Sequence, residues 1–332
     1  MKSAIIGGVA GGASAATRAR RLNEEAEITI YEKGPYVSYA NCGLPYYIGG
    51  IIRHPHDLLL ETPESLWDCF RIKVHVRSEV NGIDLRSGFL EVVHDDAKYQ
   101  ATFDRLILAP GATTMVPKIP GMDRSDVFSL RTVPDAVRMH QYLDSGLGRH
   151  ATVVGAGFIG LEMAEVLRAR GVTVVERQSH ILPPFDADMA QYLEKHMVDM
   201  EIQLRLESTL AGISGVVGYP IVQLASGDSF HSDMVVLGLG VRPSLTLARM
   251  MGLAIGSTGS IRVTDHMQTS APGVWAADNV VEKRDLVTGQ SRWWPLADTA
   301  NKEGRLGAPI PLAVMPACPE VSAPASFGSI PM

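Results

Sequence analysis

The run Ser3-Ala4-Ile5-Ile6-Gly7-Gly8-Val9-Ala10-Gly11-Gly12 decides how this chain folds. An apolar strand ends at Ile6, four of the next six residues are glycine, and the alanine-rich stretch that follows has helical spacing to about Leu22. A second strand is expected over Glu27–Tyr31, which completes a βαβ unit in outline. The glycines allow a tight turn and a close backbone approach to a pyrophosphate, and the positive end of the helix favours negative charge. Glu32, at the end of the second strand, is placed to accept from a ribose hydroxyl. Gly7, Gly8, Val9, Ala10, Gly11, Gly12 and Glu32 are therefore candidate nucleotide contacts, with Val9 where the usual pattern has its middle glycine. The competing reading is a purely structural glycine turn; the strand before it and the helix after it favour the nucleotide.

The same design recurs further along. A strand at Ala151–Val154 leads into the complete fingerprint Gly155-Ala156-Gly157-Phe158-Ile159-Gly160, then a helix through Arg170 and a strand at Val172–Val175. Glu176 stands 21 residues beyond the first glycine, where an acid favours NADH, while the neighbouring Arg177 suits a 2′-phosphate, so the choice of nicotinamide cofactor stays open. Two such turns imply two nucleotide-binding units, each a parallel sheet covered on both faces.

Between them, a buried strand over Asp104–Leu108 exits through Ala109-Pro110-Gly111-Ala112, which marks a boundary. A second apolar strand over Asp233–Gly240 runs into Val241-Arg242-Pro243 and reads as the return. The first unit is then discontinuous, resuming near Leu245 and ending about Arg305. Residues 306–332 carry one charge, Glu320, and prolines at 309, 311, 316, 319, 324 and 331, a spacing that neither helix nor strand survives, so an irregular tail is expected.

The 332 residues, 46% hydrophobic and 20% charged, suit a globular protein, and a net charge of -6 provides no basic field for nucleic acid or an anionic membrane. A small-molecule partner is the expectation. The opening residues are too glycine-rich for a secretory signal core, and no charge-free run approaches a membrane span, which points to the cytoplasm. The three cysteines, Cys42, Cys69 and Cys318, form neither a disulfide framework nor a metal-ligand spacing; no metal is expected, and a lone reactive thiol becomes possible in a reduced compartment. Cys69, in the helical-looking Pro63–Phe70, reads as a small buried hydrophobe. Cys42 reads differently, because it follows the first βαβ unit, and a short helix starting there would lower its pKa through the dipole.

The run Ser38-Tyr39-Ala40-Asn41-Cys42, followed by Gly43-Leu44-Pro45-Tyr46-Tyr47-Ile48-Gly49-Gly50, resembles the Ser-Phe-x-x-Cys motif of the coenzyme A disulfide reductases. These belong to the single-cysteine class of the pyridine nucleotide-disulfide oxidoreductases, together with NADH oxidases and peroxidases. Two-cysteine relatives carry a partner five residues on, where this chain has Tyr47. Without that partner the thiol must pair with a substrate sulfur or become a sulfenate. Over roughly residues 1–305 the resemblance implies an α/β fold of two Rossmann-like three-layer domains. Residues 1–112 and 245–305 would bind FAD, and residues 113–244 NADH or NADPH. Cys42 is then the catalytic residue, and the substrate is coenzyme A disulfide or a related small thiol or disulfide.

The resemblance also implies site residues. To the FAD contacts of the first turn it adds Lys33, Val80, Ala109, Gly111 and Asp278, the last within a flavin motif that begins at Thr269. Pro295–Arg305 resembles the segment that follows at the isoalloxazine. The NAD(P) contacts are Gly155, Gly157, Phe158, Ile159, Gly160, Glu162 and Glu176, and those to coenzyme A are Ser14, Arg18, Arg21, Ser38 and Asn41. Arg18 and Arg21 lie three apart on one helical face, as a phosphate clamp or a solvated basic face would.

The chain departs from the family pattern in three places. The glycine expected before Asp278 is missing, Gly171–Glu176 is two residues short, and the homodimer-forming domain expected after Arg305 is replaced by the proline-rich tail, as a truncation or frame shift would produce. The alternatives are therefore an oxidase, peroxidase or polysulfide reductase using the same cysteine, or a flavin-binding remnant without turnover.

Overall fold

The computed structural model describes residues 1–308, and the chain divides into two units. One comprises Met1–Ser38, Glu61–Ala112 and the chain from Pro243; the other comprises Tyr39–Leu60 and Thr113–Arg242. The segment around Cys42 therefore groups with the second glycine turn. Of the irregular tail expected from 306, Leu306 and Gly307 instead complete the Ala297–Gly307 helix, and residues 309–332 lie outside the described residues.

The first unit is built on a five-stranded parallel sheet in the order Val274–Ala276, Arg105–Leu108, Lys2–Ile6, Glu27–Tyr31, Lys73–His75. Both faces are covered at the centre of the sheet, which is why Lys2–Ile6 and Arg105–Leu108 are buried beyond their first residues. On one face Ile5, Ile28, Ile30 and Ile107 pack with Ala15, Ala16 and Ala19 of the Ala10–Leu22 helix. On the other, Ala4, Ile6, Leu106 and Leu108 meet Leu90 and Val92 of an antiparallel sheet, Ser78–Asp84, Phe89–His94 and Ala97–Thr102. Each isoleucine or leucine so buried contributes about 1.5–3 kcal/mol. Alanine on the helix keeps it close to the sheet. The Ala297–Gly307 helix approaches still more closely, since a Cβ on Gly304 would stand 2.1 Å from the Gly11 carbonyl oxygen.

The second unit repeats the plan, with a parallel sheet in the order Gln203–Arg205, Val172–Val175, Ala151–Val154, Met234–Leu237, Val127–Ser129. Val154, Val175 and Val235 pack with Ile213, Val222 and Leu224 of the antiparallel Leu210–Val216, Tyr219–Leu224 and Ser229–His231 strands. Met163, Ala164 and Leu167 of the Phe158–Leu167 helix are also buried. The shortened Gly171–Glu176 stretch does no harm to the sheet: Val172–Val175 pairs in register with Ala151–Val154 on one side and with Gln203–Arg205 on the other. A two-residue change keeps the side-chain alternation. Both units are Rossmann-like three-layer α/β folds.

Candidate active site

The two glycine turns are built alike. Gly7 (φ +94°) and Gly155 (φ +100°) occupy the left-handed region that opens each turn. A Cβ on Gly12 would lie 1.8 Å from the Gly7 carbonyl oxygen, and one on Gly160 would lie 1.9 Å from that of Gly155. Glycine at these positions is what lets each helix pack against its own turn. The helices start at Ala10 and Phe158, and neither N-cap residue, Val9 or Gly157, supplies a side-chain bond. Other helices here are closed by reciprocal caps, such as Thr62 with Ser65 and Thr132 with Asp135. The end at Phe158 keeps its amide donors and a positive dipole for an anion, while at the first turn the Gly11 amide already donates to the Asp278 carboxylate. Gly157 faces open space, with nothing within 4 Å of a would-be Cβ, while Phe158 is exposed and Ile159 half-buried. This cradle fits a pyrophosphate.

The acids that close the turns are engaged with the backbone in matching ways. Glu32 accepts from the Gly8 and Gly34 amides, both at 2.7 Å. Glu176 accepts from Ala156 at 2.7 Å and from Gln178 at 2.8 Å. Each carboxylate thus braces the turn that it follows. A carboxylate oxygen has two lone pairs, so a ribose hydroxyl can still be accepted.

Around the first turn, the Ala109 carbonyl oxygen lies where a Gly7 side chain would be, Gly111 takes a positive φ of +67°, and Val80 is buried on its strand. Lys33 is exposed and pairs with Glu79 at 2.7 Å. Asp278 is 6% exposed and has φ +77°, a left-handed conformation uncommon outside glycine. Its carboxylate accepts from the Gly11 amide at 3.0 Å and from the Asn279 amide at 2.6 Å. Asp278 therefore sits on the first turn of the Ala10–Leu22 helix, as a group shared with the first nucleotide turn would. Sequence reasoning missed what lies behind it: the Asp278 amide donates to Glu303 at 2.9 Å, and Lys283 faces Glu303 at 2.5 Å. Two charges twenty positions apart in irregular sequence give no periodic signal; only the Pro295–Arg305 resemblance pointed to that stretch.

Cys42 is exposed and lies in the 3₁₀ turn Asn41–Gly43, just ahead of the Leu44–Ile48 helix. The expected dipole effect is overturned. A five-residue helix has little dipole, and the thiol is pushed up from its ordinary pKa by partial burial and by the Glu162 carboxylate. Glu162 belongs to the helix that the second glycine turn opens, and it is itself pushed up by burial and by Glu165. Tyr46 is raised by burial and then by Glu162, Glu165 and Cys42. The Cys42 segment packs directly on this helix, since a Cβ on Gly49 would stand 2.9 Å from Val166 Cβ. Cys69 corrects another expectation, being exposed instead of buried, because the Pro63–Phe70 helix buries only Leu66.

The coenzyme A candidates fall in both units. Ser14, Arg18 and Arg21 share the Ala10–Leu22 helix. Ser14 Oγ donates to Asn301 Oδ1 at 2.5 Å, whereas Arg18 and Arg21 make no side-chain hydrogen bond or ion pair among the described residues. Arg20 between them is structural, bonding to the Phe70 and Arg71 carbonyls. Ser38 (φ +47°) donates its amide to the Gly8 carbonyl at 2.9 Å. Asn41 Oδ1 is buried without a hydrogen-bond partner. Among the described residues no cluster of three or more His, Cys, Asp or Glu could hold a metal, and no helix is long and apolar enough to cross a membrane.

The chain is similar to known proteins. The chain is 36% identical over 304 residues to an NAD(P)H sulfur oxidoreductase (CoA-dependent) of Pyrococcus abyssi, covering 90% of this chain and 67% of that protein. It is 34% identical over 284 residues to a coenzyme A disulfide reductase of Staphylococcus haemolyticus, covering 84% and 63%. The crystal structure of reduced Bacillus anthracis CoADR-RHD superposes with a TM-score of 0.89 at 42% identity, over 92% of this chain and 56% of that one. The chain thus spans about two thirds, or less, of the length of these relatives. The family model described as pyridine nucleotide-disulphide oxidoreductase matches residues 1–304, and the chain belongs to that family.

Proposed function

We propose that this protein is an FAD-dependent NAD(P)H:disulfide oxidoreductase that reduces coenzyme A disulfide, or a related small disulfide, through Cys42 in a reducing, cytoplasmic setting. The observation that carries this reading is the exposed Cys42 thiol on a segment packed, through Gly49 and Val166, against the helix opened by the complete second glycine fingerprint. A redox-capable sulfur and a dinucleotide turn thus belong to one structural unit. The names of the Pyrococcus and Staphylococcus relatives, which refer to coenzyme A and to sulfur or disulfide reduction, support the choice of substrate.

In this reading Gly155, Gly157, Phe158, Ile159, Gly160, Glu162 and Glu176 hold the nicotinamide dinucleotide. The first turn, Glu32, Lys33, Val80, Ala109, Gly111 and Asp278 hold FAD. Bound NADH or NADPH would supply hydride, and FAD would pass the two electrons on to sulfur. The Cys42 thiolate attacks one sulfur of the disulfide; the S–S bond breaks, one coenzyme A thiolate leaves and a mixed disulfide forms. Two electrons and a proton then release the second coenzyme A as a thiol and restore Cys42. Burial, and then the Glu162 carboxylate, push the Cys42 pKa up, so a donor or cation at the sulfur would favour the attacking thiolate. Arg18 and Arg21, without an ion pair among the described residues and on one helical face, suit the substrate's phosphates, and Ser14, Ser38 and Asn41 supply hydrogen bonds.

A second reading keeps the same thiol but takes polysulfide, oxygen or peroxide, with Cys42 cycling through a persulfide or sulfenate; Tyr47 in place of a second cysteine favours such single-sulfur chemistry. Steady-state NAD(P)H oxidation with coenzyme A disulfide, polysulfide, oxygen and peroxide side by side separates them. Fastest turnover with coenzyme A disulfide supports the first reading and fastest with another acceptor supports the second. A colourless protein that oxidises no NAD(P)H defeats both.

A further inference from the structure

We propose that Glu303, gripped by Lys283, is the positioning residue that sets the Asp278 turn for FAD. This inference rests on the reading of the first unit as the FAD-binding one. Where the family pattern has a glycine, this chain runs from Ala277 directly into Asp278, and the aspartate itself takes the left-handed conformation at φ +77°. A non-glycine residue holds that conformation only when its surroundings fix it. Here the Asp278 carbonyl accepts from the Val280 amide at 2.7 Å, and the contact from outside the turn is the Asp278 amide, which donates to Glu303 Oε2 at 2.9 Å. The side chain is then aimed at the Gly11 amide, 3.0 Å away, at the start of the first glycine-turn helix.

Glu303 is held from two sides. Its helix, Ala297–Gly307, lies backbone to backbone on the Ala10–Leu22 helix at Gly304 and Gly11. Its other oxygen, Oε1, faces Lys283 Nζ at 2.5 Å as an ion pair without the alignment of a hydrogen bond. Lys283 is in turn fixed by the Trp294 carbonyl at 2.9 Å and Thr299 Oγ1 at 2.8 Å, so its ammonium has three partners. The arrangement places two buried carboxylates, Asp278 and Glu303, next to each other, with one ammonium on Glu303. Lys283 and Asp278 are the charged groups acting on Glu303. Burial pushes Glu303 up to about 7, against the pull of Lys283 and the Asp278 amide. Near neutrality, then, the clamp gains or loses its charge, and the Asp278 turn tightens or loosens with it.

The test is FAD affinity, measured by quenching of flavin fluorescence from pH 6 to pH 8.5, alongside the melting temperature of each protein before FAD is added. Wild type should bind FAD several-fold more weakly at pH 6 than at pH 8.5. Glu303→Gln, which keeps an oxygen for the Asp278 amide but no charge, should lose this pH dependence and stay near the wild-type value at pH 6. Glu303→Leu should weaken FAD tenfold or more. Lys283→Met, which leaves Glu303 in place, should weaken FAD and move the pH midpoint upward. Unchanged affinity and an unchanged pH profile in Glu303→Gln and Lys283→Met would overturn the proposal, even if Glu303→Leu fails to fold. Failure of wild type to bind FAD at any pH would instead defeat the FAD reading of the unit.

Discussion

Replacing Glu176 by glutamine separates its role as a structural brace from a passive position near a ligand. The carboxylate is 8% exposed and accepts two amides, Ala156 at 2.7 Å and Gln178 at 2.8 Å. A glutamine oxygen can keep one of these bonds, but its NH₂ then points at the other amide, donor against donor. The Gln178 amide is part-buried on an exposed residue, so losing its bond costs the low end of about 1–3 kcal/mol, and with the lost charge assistance on Ala156 the total is about 2 kcal/mol. For a unit of this size each kcal/mol is worth roughly 2–4 °C, so the second unit should melt roughly 4–8 °C lower. Differential scanning calorimetry of the two proteins measures this directly. A shift below about 2 °C would refute the reasoning, because it would mean that the turn does not depend on the carboxylate.

Three other outcomes follow from the same geometry. Gly157→Ala should fold like wild type but weaken nicotinamide nucleotide binding, since its Cβ enters the open cradle, whereas Gly160→Ala, with a Cβ 1.9 Å from the Gly155 oxygen, should give little folded protein; far-ultraviolet circular dichroism and nucleotide titration check both. Cys42→Ser should abolish disulfide reduction while leaving flavin binding intact, and Cys69→Ser should leave turnover nearly unchanged; equal loss in steady-state assays would show that Cys42 is misassigned. For Glu303, a folded pKa raised from 4.5 to about 7 means that the folded state holds the proton more tightly. Its stabilisation is full below pH 4.5 and is lost as pH rises through about 7, about 3 kcal/mol in total at about 1.4 kcal/mol per pH unit. Glu303→Gln should therefore gain on wild type in melting temperature between pH 5 and pH 8, and a constant difference across that range would contradict this.

What the sequence made legible is what local patterning controls. The strands Glu27–Tyr31, Ala151–Val154 and Val172–Val175 are expected and found with the same bounds, because each is built mostly of β-branched residues. The helices after the two glycine turns are as readable, since glycine, helix start and following acid lie within one short stretch. The antiparallel sheets over 78–102 and 210–231 leave a weaker signal, because Ala97–Thr102 is exposed and mostly polar and Leu210–Val216 is interrupted by two glycines. The grouping of Tyr39–Leu60 with the second unit depends on contacts such as Gly49 with Val166, more than a hundred residues apart, which no local pattern announces. The same distance hid the direction of the Cys42 shift, which depends in part on Glu162. Lys283 and Glu303 escaped notice because each looks like any surface charge until the fold buries them together.

The central claim is that Cys42 carries the exchanged sulfur, and intact-protein and peptide mass spectrometry after incubation with coenzyme A disulfide tests it most directly. The account predicts one coenzyme A adduct per chain, mapped to Cys42, that disappears on anaerobic addition of NADH or NADPH to the FAD-loaded protein. An adduct on Cys69 alone, or one on Cys42 that survives while NAD(P)H and coenzyme A disulfide continue to turn over, would contradict it.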